Sequence, residues 1–384
     1  MTINSKTSSV YFENLNAIRF IAASLVVFHH IEQFKAIFGL PNFWNNEVVF
    51  IIGKLGVILF FVLSGFLISY LLYKEKELTN TIGIKNFYVR RILRIWPLYF
   101  LIILLALFLF PHIDFFSIPG VTKEMVFQNL TFKLLLYVFF LPNLVLNIYG
   151  TIPFASQTWS IGAEEQFYLI WPVLNKYFKN KYVLIFSVIL IYRLIKRYML
   201  YLPNSDFTII FKGFWQSTPI QCMAIGGFFA LIVYDTKSKF SNKLKHILYS
   251  KLLQWSVLIL TVFFIFNAFQ IYFFHYEFYS ILFGILIMNF AANPKRIFSM
   301  ENKILNYLGK ISYGLYMFHS IVIVVVIKIC QHFNWSSNFI IYPLTFILLI
   351  LVSSISYTFF EQYFINKKIK FTTVLSGDSV KIKL

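Results

Sequence analysis

The sequence predicts an all-α membrane protein: a polytopic bundle of about ten transmembrane helices with one re-entrant or partly embedded segment. Three observations predict this fold class. The 384-residue chain is 59% hydrophobic and only 13% charged, which is about half the charged fraction of a soluble domain. Its apolar stretches recur at about the 20 residues that a helix needs to cross a bilayer. Because lipid cannot hydrogen-bond an open backbone, these spans should be helical.

The apolar pattern contains eleven segments. They cover residues 16–34, 48–73, 93–111, 130–147, 158–178, 182–202, 213–234, 252–274, 276–292, 307–329 and 338–362. The fourth segment differs from the others because it carries Lys133 and is interrupted by Pro142 and Asn143. We therefore expect that it does not cross the membrane.

The distribution of basic residues favours the same arrangement. If the fourth segment does not cross and the N-terminus is cytoplasmic, 25 of the 34 Lys and Arg residues face the cytoplasm, against 13 if it crosses. Cytoplasmic loops are the ones enriched in Lys and Arg. The sequence thus predicts ten spanning helices, both termini cytoplasmic, and an external, partly re-entrant excursion over residues 112–157.

The predicted domain organisation is simple. A cytoplasmic leader at 1–10 precedes a membrane domain over 11–365, and a short basic cytoplasmic tail follows at 366–384. Neither flank is long enough for a second soluble domain, and the start lacks a cleavable signal-peptide pattern. The net charge of +19 does not indicate nucleic-acid binding, because the basic residues are spread over short loops between apolar segments.

The two cysteines, Cys222 and Cys330, both lie in apolar segments. This position indicates neither a disulfide framework nor a metal cluster. Cys222 begins a row of small residues that continues with Gly226 and Ala230, and such a row favours close packing of two helices.

Arg19 and His30 are candidate functional residues in the first segment. At about 100° per residue, their spacing ends about 20° beyond three full turns, so both project from one helix face, about 16 Å apart along the axis. Ionisable residues inside a membrane are functional candidates by default. The alternative is an arginine that extends to the headgroups and a histidine satisfied by a neighbouring helix.

Glu164 and Glu165 are the only acidic residues well inside a predicted span. In the ten-helix arrangement, Glu164 and His30 both fall about 9 Å below the outer membrane surface. We therefore expect one of the two glutamates to orient His30 and to stabilise its charged form; the sequence leaves open which one. The alternative is a buried glutamate paired with a structural arginine.

Two further groups are candidates for binding a donor substrate. Arg90, Arg91 and Arg94 come just before the third segment and could clamp the phosphates of a nucleotide-bearing donor such as coenzyme A. The alternative is an ordinary basic cap at a membrane boundary. Ser64 and Gly65 give the second segment a narrow face that suits either a long ligand or helix packing.

Basic residues in two other segments have two interpretations each. His319 falls near mid-membrane and is either structural or part of the same site. Arg193, Lys196 and Arg197 fall at the outer end of the sixth segment, where they bind an anionic group or extend to the headgroups.

Together these stretches resemble the acyltransferase-3 family of integral membrane acyltransferases. The resemblance covers roughly residues 11–365 and follows the family order. It rests on the Arg19–His30 pair and on the segments FFVLSGFLIS, RRILRIWPLY, WSIGAEEQFYLIWP and SYGLYMFH. The matched segments add Trp159, Ser160 and Tyr313 as candidates. Around Arg19 the family usually reads Asp-Gly-Leu-Arg-Gly, whereas this chain reads NAIRF and so lacks both glycines.

The resemblance implies a membrane-bound O-acyltransferase of the bacterial plasma (inner) membrane, of the stand-alone type without a fused SGNH domain. Such an enzyme transfers an acyl group, usually acetyl, from cytosolic acyl-CoA to a hydroxyl of a surface glycan or lipid-linked sugar. The expected partners are the bilayer, acyl-CoA and the glycan acceptor, with no metal; the oligomeric state stays open.

The resulting hypothesis assigns a role to each group. His30 is the general base or forms a transient acyl-histidine, and Glu164 or Glu165 supports it. Arg90, Arg91 and Arg94 hold the phosphates, and the pantetheine arm runs inward past Arg19, Ser64 and Gly65.

The alternative from another class is a transporter of a glycan or small solute, since a proton relay also needs membrane-embedded Arg, His and Glu. The absence of an inverted repeat and of paired broken helices argues against it.

Overall fold

The computed structural model describes residues 8–377. These residues form a helical bundle and one small sheet, which confirms the predicted all-α class. Within them the α-helices are, in chain order, α1 (Leu15–Ile37), α2 (Glu47–Thr79), α3 (Ile84–Leu104), α4 (Lys123–Phe127), α5 (Leu130–Val138), α6 (Pro142–Tyr149), α7 (Trp159–Tyr177), α8 (Lys181–Tyr198), α9 (Asp206–Gln216), α10 (Ile220–Tyr234), α11 (Lys239–Leu248), α12 (Lys251–Phe266), α13 (His275–Ala292), α14 (Lys303–Lys310), α15 (Ser312–His332), α16 (Asn338–Ser356) and α17 (Gln362–Lys368). The strands are β1 (Ser8–Val10) and β2 (Val374–Ser376).

Several helical stretches are long and apolar enough to cross a membrane. In the described part of the chain there are six, or seven if the bent pair α11–α12 counts as one span. The six are Leu15–Ile37, Glu47–Thr79, Ile84–His112, Asp206–Tyr234, Ser312–His332 and Asn338–Phe371. Three other expected spans, α7, α8 and α13, are helices of 19, 18 and 18 residues.

Two helices extend further than the apolar pattern predicts. α2 continues to Thr79, and α3 begins at Ile84, nine residues before the predicted start of its span. Arg90, Arg91 and Arg94 therefore lie within α3, not before it. The pattern misplaces these ends because hydropathy marks the membrane-embedded part of a helix, whereas the hydrogen-bonded helix continues beyond it.

The fourth apolar segment is divided into α5 and α6, of 9 and 8 residues. Each half is far shorter than the about 20 residues needed to cross the core. The break at Phe140, whose φ is 57°, docks on α7: Gln166 donates a hydrogen bond to the Phe140 carbonyl at 3.1 Å. The second half packs closely on the same helix, since a Cβ on Gly162 would lie 2.6 Å from Pro142.

Other predicted segments are also interrupted. The seventh is split between α9 and α10 near Pro219, and α11 and α12 meet at an angle of 67°. Among the described residues only α11 and α12 are bent by more than 40° at their break, and one such bend is not the pair of broken helices that is typical of transporters.

The centre of the bundle is the contact of α2 with α10. A Cβ on Gly65 would overlap the backbone of Met223, and a Cβ on Gly226 would overlap the backbone of Val62. Glycines at helix interfaces let backbones approach this closely. The contact confirms the packing interpretation of the row that contains Gly226. α1 covers another side of α2, where a Cβ on Gly56 would lie 2.7 Å from the Ala22 carbonyl.

The two ends of the described chain meet. β1 pairs in parallel with β2, with Ser8 opposite Val374. Just before β2, the Phe371 carbonyl accepts a hydrogen bond from Arg90 at 2.8 Å. The leader and the tail thus lie at the same end of the bundle as the arginines of α3. The rest of both segments, 1–7 and 378–384, lies outside the described residues.

The α2–α10 contact predicts an unusual sensitivity to a single methyl group. Gly226→Ala is expected to destabilise the protein by about 1–3 kcal/mol, because the added Cβ meets backbone that cannot rotate away. The measurement is the thermal unfolding of the detergent-solubilised full chain. Gly314→Ala is the matched control, since the nearest atom to its Cβ would be the side-chain Cβ of Ser353, at 3.1 Å, and the nearest backbone atom would be 3.4 Å away. Equal melting temperatures for the two variants would contradict the prediction.

Candidate functional site

Three adjoining cavities run through the bundle. The middle cavity holds about 820 Å³ of space not filled by atoms, open solvent included, and its polar wall includes Arg19, Ser64, Arg91, Ser160, Glu164 and Tyr168. It shares Arg19, Arg91 and Arg94 with a second cavity, and Val57 and Tyr316 with a third. The shared walls place the three cavities in series, with the middle one between the other two.

The second cavity, named the basic cavity, lies at the end of the bundle where the strands pair. Its cationic wall consists of Arg19, Arg91, Arg94, Lys310 and Lys368. Among the described residues that line it there is no Asp or Glu. Five cations around one space without a lining carboxylate make it a strongly anion-attracting site.

The third cavity, named the histidine cavity, lies at the other end of α1. Its wall includes His29, His30, Gln33, Lys54, Trp159 and His275. Arg19 and His30 therefore face different cavities of one series, about 16 Å apart along α1. The prediction that one helix carries both residues is confirmed, since α1 is continuous from Leu15 to Ile37.

The protonation pattern of His30 follows from one hydrogen bond. Its Nδ1 lies 2.8 Å from the Val26 carbonyl oxygen. A carbonyl can only accept, so Nδ1 carries the proton and, in the neutral ring, Nε2 is left with a lone pair. That nitrogen is free to accept a proton from a substrate hydroxyl.

His319 lies beside His30. The ring centroids are 4.6 Å apart, and Nδ1 of His319 is 2.5 Å from the Tyr316 carbonyl. Its Nε2 is buried and has no hydrogen-bond partner in the described structure. Both rings are thus held in the same tautomer by backbone carbonyls, and the structure brings together two histidines that the sequence left separate.

The predicted contact between the glutamates and His30 is wrong. The Glu164 carboxylate accepts hydrogen bonds from Ser64 at 2.8 Å and from Tyr168 at 2.9 Å. It lines the middle cavity together with Arg19, not the histidine cavity. The depth estimate failed because it started both helices at one membrane plane. Along α2, His29 packs on Gly53, whereas Glu164 bonds to Ser64, about 16 Å further along the helix.

Glu165 points elsewhere. Its Oε2 accepts a hydrogen bond from the Trp96 indole at 3.3 Å, and its Oε1 is buried without a partner among the described residues. It lines none of the three cavities. Of the two glutamates, Glu164 alone lines one of these cavities, and neither has a hydrogen bond to His30.

The three arginines of α3 separate into two roles. Arg90 pairs with the buried Glu75 at 3.1 Å and also holds the tail, so it lines neither the middle nor the basic cavity. Arg91 and Arg94 line both. Arg90 is held in an ion pair with a carboxylate on α2 that the sequence pattern did not single out, and its part in the predicted phosphate clamp stays a prediction.

The face formed by Ser64 and Gly65 is divided in the same way. Ser64 lines the middle cavity, whereas Gly65 packs on the backbone of α10 and does not line it. The expected ligand contact at Gly65 is therefore wrong, since a 100° step along a helix turns neighbouring residues to different neighbours.

The remaining candidates sit at the cavity walls. Ser160 lies 2.7 Å from the Tyr316 hydroxyl, at the wall between the middle and histidine cavities. Tyr313 lines the middle cavity and donates to the Ile95 carbonyl at 2.9 Å. Trp159 lines the histidine cavity.

Of the outer basic cluster, Arg193 is already paired. It contacts Glu277 at 3.1 Å, and its guanidinium lies 3.8 Å from the centre of the Phe273 ring. This contact identifies Arg193 as a structural residue.

Sequence reasoning missed several wall residues. Tyr168 follows Glu164 by one helical turn, a spacing that could have identified it. Lys54, Lys310 and Lys368 carried no such signal, because each stands alone in a different segment and they line these cavities only in the folded bundle.

Comparison with known proteins supports the family resemblance that the sequence motifs indicated. A family model described as an acyltransferase domain matches residues 12–358. The chain belongs to the acyltransferase-3 family. This confirms the resemblance and leaves the transporter alternative without support. No solved structure matches the chain significantly.

Curated relatives of this acyltransferase-3 member include named O-acetyltransferases. Peptidoglycan O-acetyltransferase OatA of Listeria monocytogenes is 27% identical over 90% of this chain and 56% of its own length. A provisionally named O-acetyltransferase of Staphylococcus aureus (strain COL) is 26% identical over 94% and 58%. A Bacillus subtilis protein, YrhL, provisionally named as a peptidoglycan O-acetyltransferase, is 27% identical over 92% and 54%. The chain thus spans little more than half the length of these relatives.

The ion pair of Arg90 predicts a loss of stability that a second change repairs. Arg90→Ala is expected to destabilise the protein by about 3 kcal/mol or more, since it leaves the carboxylate of Glu75 buried without its cation. Arg90→Ala/Glu75→Leu should recover most of the loss, because no charge then stays buried. Thermal unfolding of the two variants measures both effects.

The control for this pair lies on the same helix end. Lys74→Ala removes an exposed ion pair with Glu77, which should cost less than about 1 kcal/mol. A double variant no more stable than Arg90→Ala would show that the Glu75 pairing is not what Arg90 supplies.

Proposed function

We propose that this protein transfers an acyl group, acetyl in the simplest case, from cytosolic acyl-CoA to a hydroxyl of a cell-surface or lipid-linked glycan. The observation that carries the proposal is the series of three cavities, with clustered cations at one end and a histidine with an unprotonated Nε2 at the other. The names of the relatives support acetyl as the group and a glycan as the acceptor.

The proposed topology has ten crossings and both termini in the cytoplasm of a bacterial plasma membrane. The six apolar helices, the bent pair α11–α12 and the shorter α7, α8 and α13 together supply that number. The excess of basic residues predicts which side is cytoplasmic. The basic cavity then opens to the cytoplasm and the histidine cavity to the outside.

The donor enters through the basic cavity in this proposal. Coenzyme A carries several phosphates, and Arg91 and Arg94 offer guanidinium groups that bind phosphate through paired N–H donors. The lysines of the same wall, Lys310 and Lys368, add point charges. From there the extended pantetheine arm follows the middle cavity past Arg19 and Ser64 towards His30, a path of about 16 Å.

The chemical step takes place where the middle and histidine cavities meet. Nε2 of His30 removes the proton of the acceptor hydroxyl while its oxygen bonds to the thioester carbonyl carbon. The carbon–sulfur bond then breaks, and the departing thiolate takes the proton from Nε2 to leave as the thiol of coenzyme A. A general base of this kind contributes about 10²–10⁴-fold to the rate.

His319 and Glu164 act through other groups in this scheme. The His319 ring lies against His30 and limits its orientation, which makes it a positioning residue. Glu164 holds Ser64 and Tyr168 on the wall of the middle cavity. Its carboxylate also offsets the positive charge of the arginines that line this cavity. Both side chains keep the path between the two substrates in shape.

The phosphate-binding assignment predicts a change in donor affinity. Arg91→Ala and Arg94→Ala should each weaken acetyl-CoA binding by about 10- to 100-fold, because each removes a charge-assisted hydrogen bond. Binding of S-acetylpantetheine, which lacks the nucleotide, should change little. Titration calorimetry on the purified full chain measures both ligands.

Arg197→Ala is the matched control, since it removes an arginine from the opposite end of the bundle. An acetyl-CoA dissociation constant that stays the same in the Arg91 and Arg94 variants would reject the clamp.

The general-base assignment predicts a loss of rate without a loss of donor binding. His30→Ala should lower acetyl transfer by about 10²–10⁴-fold, while acetyl-CoA still binds at the basic cavity. His319→Ala should lower kcat less and leave the KM for acetyl-CoA as it is. Transfer of labelled acetyl to cell-wall glycan in membranes measures the rate.

His332→Ala serves as the histidine control, because this side chain is exposed at the end of α15. Full activity in His30→Ala would remove the residue from the mechanism.

A further inference from the structure

The histidine cavity extends well beyond the reach of His30. It holds about 1580 Å³ of space not filled by atoms, open solvent included. Its wall combines the aromatic rings of Trp44, Trp159 and Tyr276 with the amides of Gln33 and Gln270. Sugars pack their C–H faces on aromatic rings and exchange hydrogen bonds with planar amides. This lining suits a saccharide better than a purely apolar ligand.

The wall amides are available to a ligand. The structure gives the side chains of Gln33, Gln216 and Gln270 no hydrogen bond to another described residue. By contrast, Gln157 on the same wall is buried, and its amide donates to the carbonyls of Phe154 and Met317. The cavity therefore contains a set of polar groups beyond those that hold the fold together.

Lys54 is the cation of this wall. Its ammonium lies 5.3 Å from the centre of the Tyr276 ring and 6.0 Å from that of Trp159. No carboxylate of the described residues lies within ion-pair distance of it, whereas nearby Arg193 is paired with Glu277. Two rings thus hold a charged group at the cavity wall without neutralising it.

The rest of the wall has no charge that would repel an anion. Among the described residues that line the histidine cavity there is no Asp or Glu. His275 lies on the same wall, and its Nδ1 is buried without a hydrogen-bond partner in the described structure. A negatively charged group placed here would meet one full positive charge and no carboxylate of the described lining residues.

We infer that the histidine cavity is the acceptor site and that it selects a saccharide carrying a negative charge, a carboxylate or a phosphate. Lys54 binds the acidic group, Trp159 and Tyr276 pack on the sugar, and the glutamine amides bind its hydroxyls. This inference rests on the proposed function, because it is the acyl acceptor that His30 would deprotonate in the same cavity.

The test measures binding without any acyl donor. The purified full chain is titrated with a glycoside of N-acetylmuramic acid, with the methyl ester of that glycoside, and with N-acetylglucosamine 1-phosphate beside neutral methyl N-acetylglucosaminide. The charged saccharides should bind about 10-fold or more tightly than their neutral counterparts, which is the scale of one hydrogen bond to a charged group. The stronger of the two charged ligands identifies the anion as carboxylate or phosphate.

Variants of Lys54 test whether this residue causes the preference for charged saccharides. Lys54→Met keeps the length of the side chain and should abolish the preference for the charged saccharide, whereas Lys54→Arg should retain it. Lys123→Met is the matched control: it removes a 61% exposed lysine outside this cavity and should preserve the preference. Acetyl-CoA binding at the basic cavity reports whether each variant is folded.

Two results would overturn the inference: equal affinity of the wild-type chain for acid and ester, or an intact preference in Lys54→Met. The first comparison needs no variant. Acetyl transfer is measured separately on the same preparations. Charge-dependent binding without transfer would reject the proposed function, whereas transfer to the neutral and charged sugars alike would reject the inference alone.

Discussion

The contact between α2 and α10 is the constraint on which the rest of the structure depends. Gly65 and Gly226 bring the two backbones together at a distance that no larger residue allows. This contact fixes α2, whose other faces form the walls of all three cavities, through Lys54, Ser64 and Leu71. Helices in lipid gain little from the hydrophobic effect and associate through such close packing.

Buried ion pairs fix the two ends of the same bundle. At the basic end, Arg90 pairs with Glu75 and connects α3 to α2. At the other end, Lys35 and Glu32 of α1 are fully buried and lie 2.6 Å apart, and the Tyr342 hydroxyl of α16 donates to the same glutamate at 2.6 Å. Removing one partner of a buried pair is costly, because the other charge stays desolvated. These ion pairs therefore stabilise the packing of the helices, and they are separate from the charges that line the cavities.

The cavity charges are distributed unevenly along the bundle. Cations surround the basic cavity, and Glu164 lines the middle cavity. Histidines whose Nδ1 atoms bond to backbone carbonyls lie at the histidine cavity. In the proposed reaction this order brings a phosphate-bearing donor and a hydroxyl acceptor to one point from opposite ends. A charged nucleotide then never has to enter the centre of the membrane, where its desolvation would be most costly.

The sequence by itself determined the helical class, most of the apolar spans and the family. It also placed Arg19 and His30 on one helix and identified the fourth segment as unable to cross in one piece. These features depend on composition and on periodicity within a single helix, which the bonded geometry of the chain sets. The motifs identified the family, because their order and spacing are properties of the sequence.

Only the tertiary structure decided which side chains meet. In the structure Glu164 bonds to Ser64 and not to His30, Arg90 pairs with Glu75, and His319 lies beside His30. Periodicity gives the direction of a side chain about its own helix, but the axial offset between two helices is set by their packing. Glu164 bonds to Ser64 of α2, well along that helix from Gly53, where His29 packs, and this offset decides which cavity Glu164 lines.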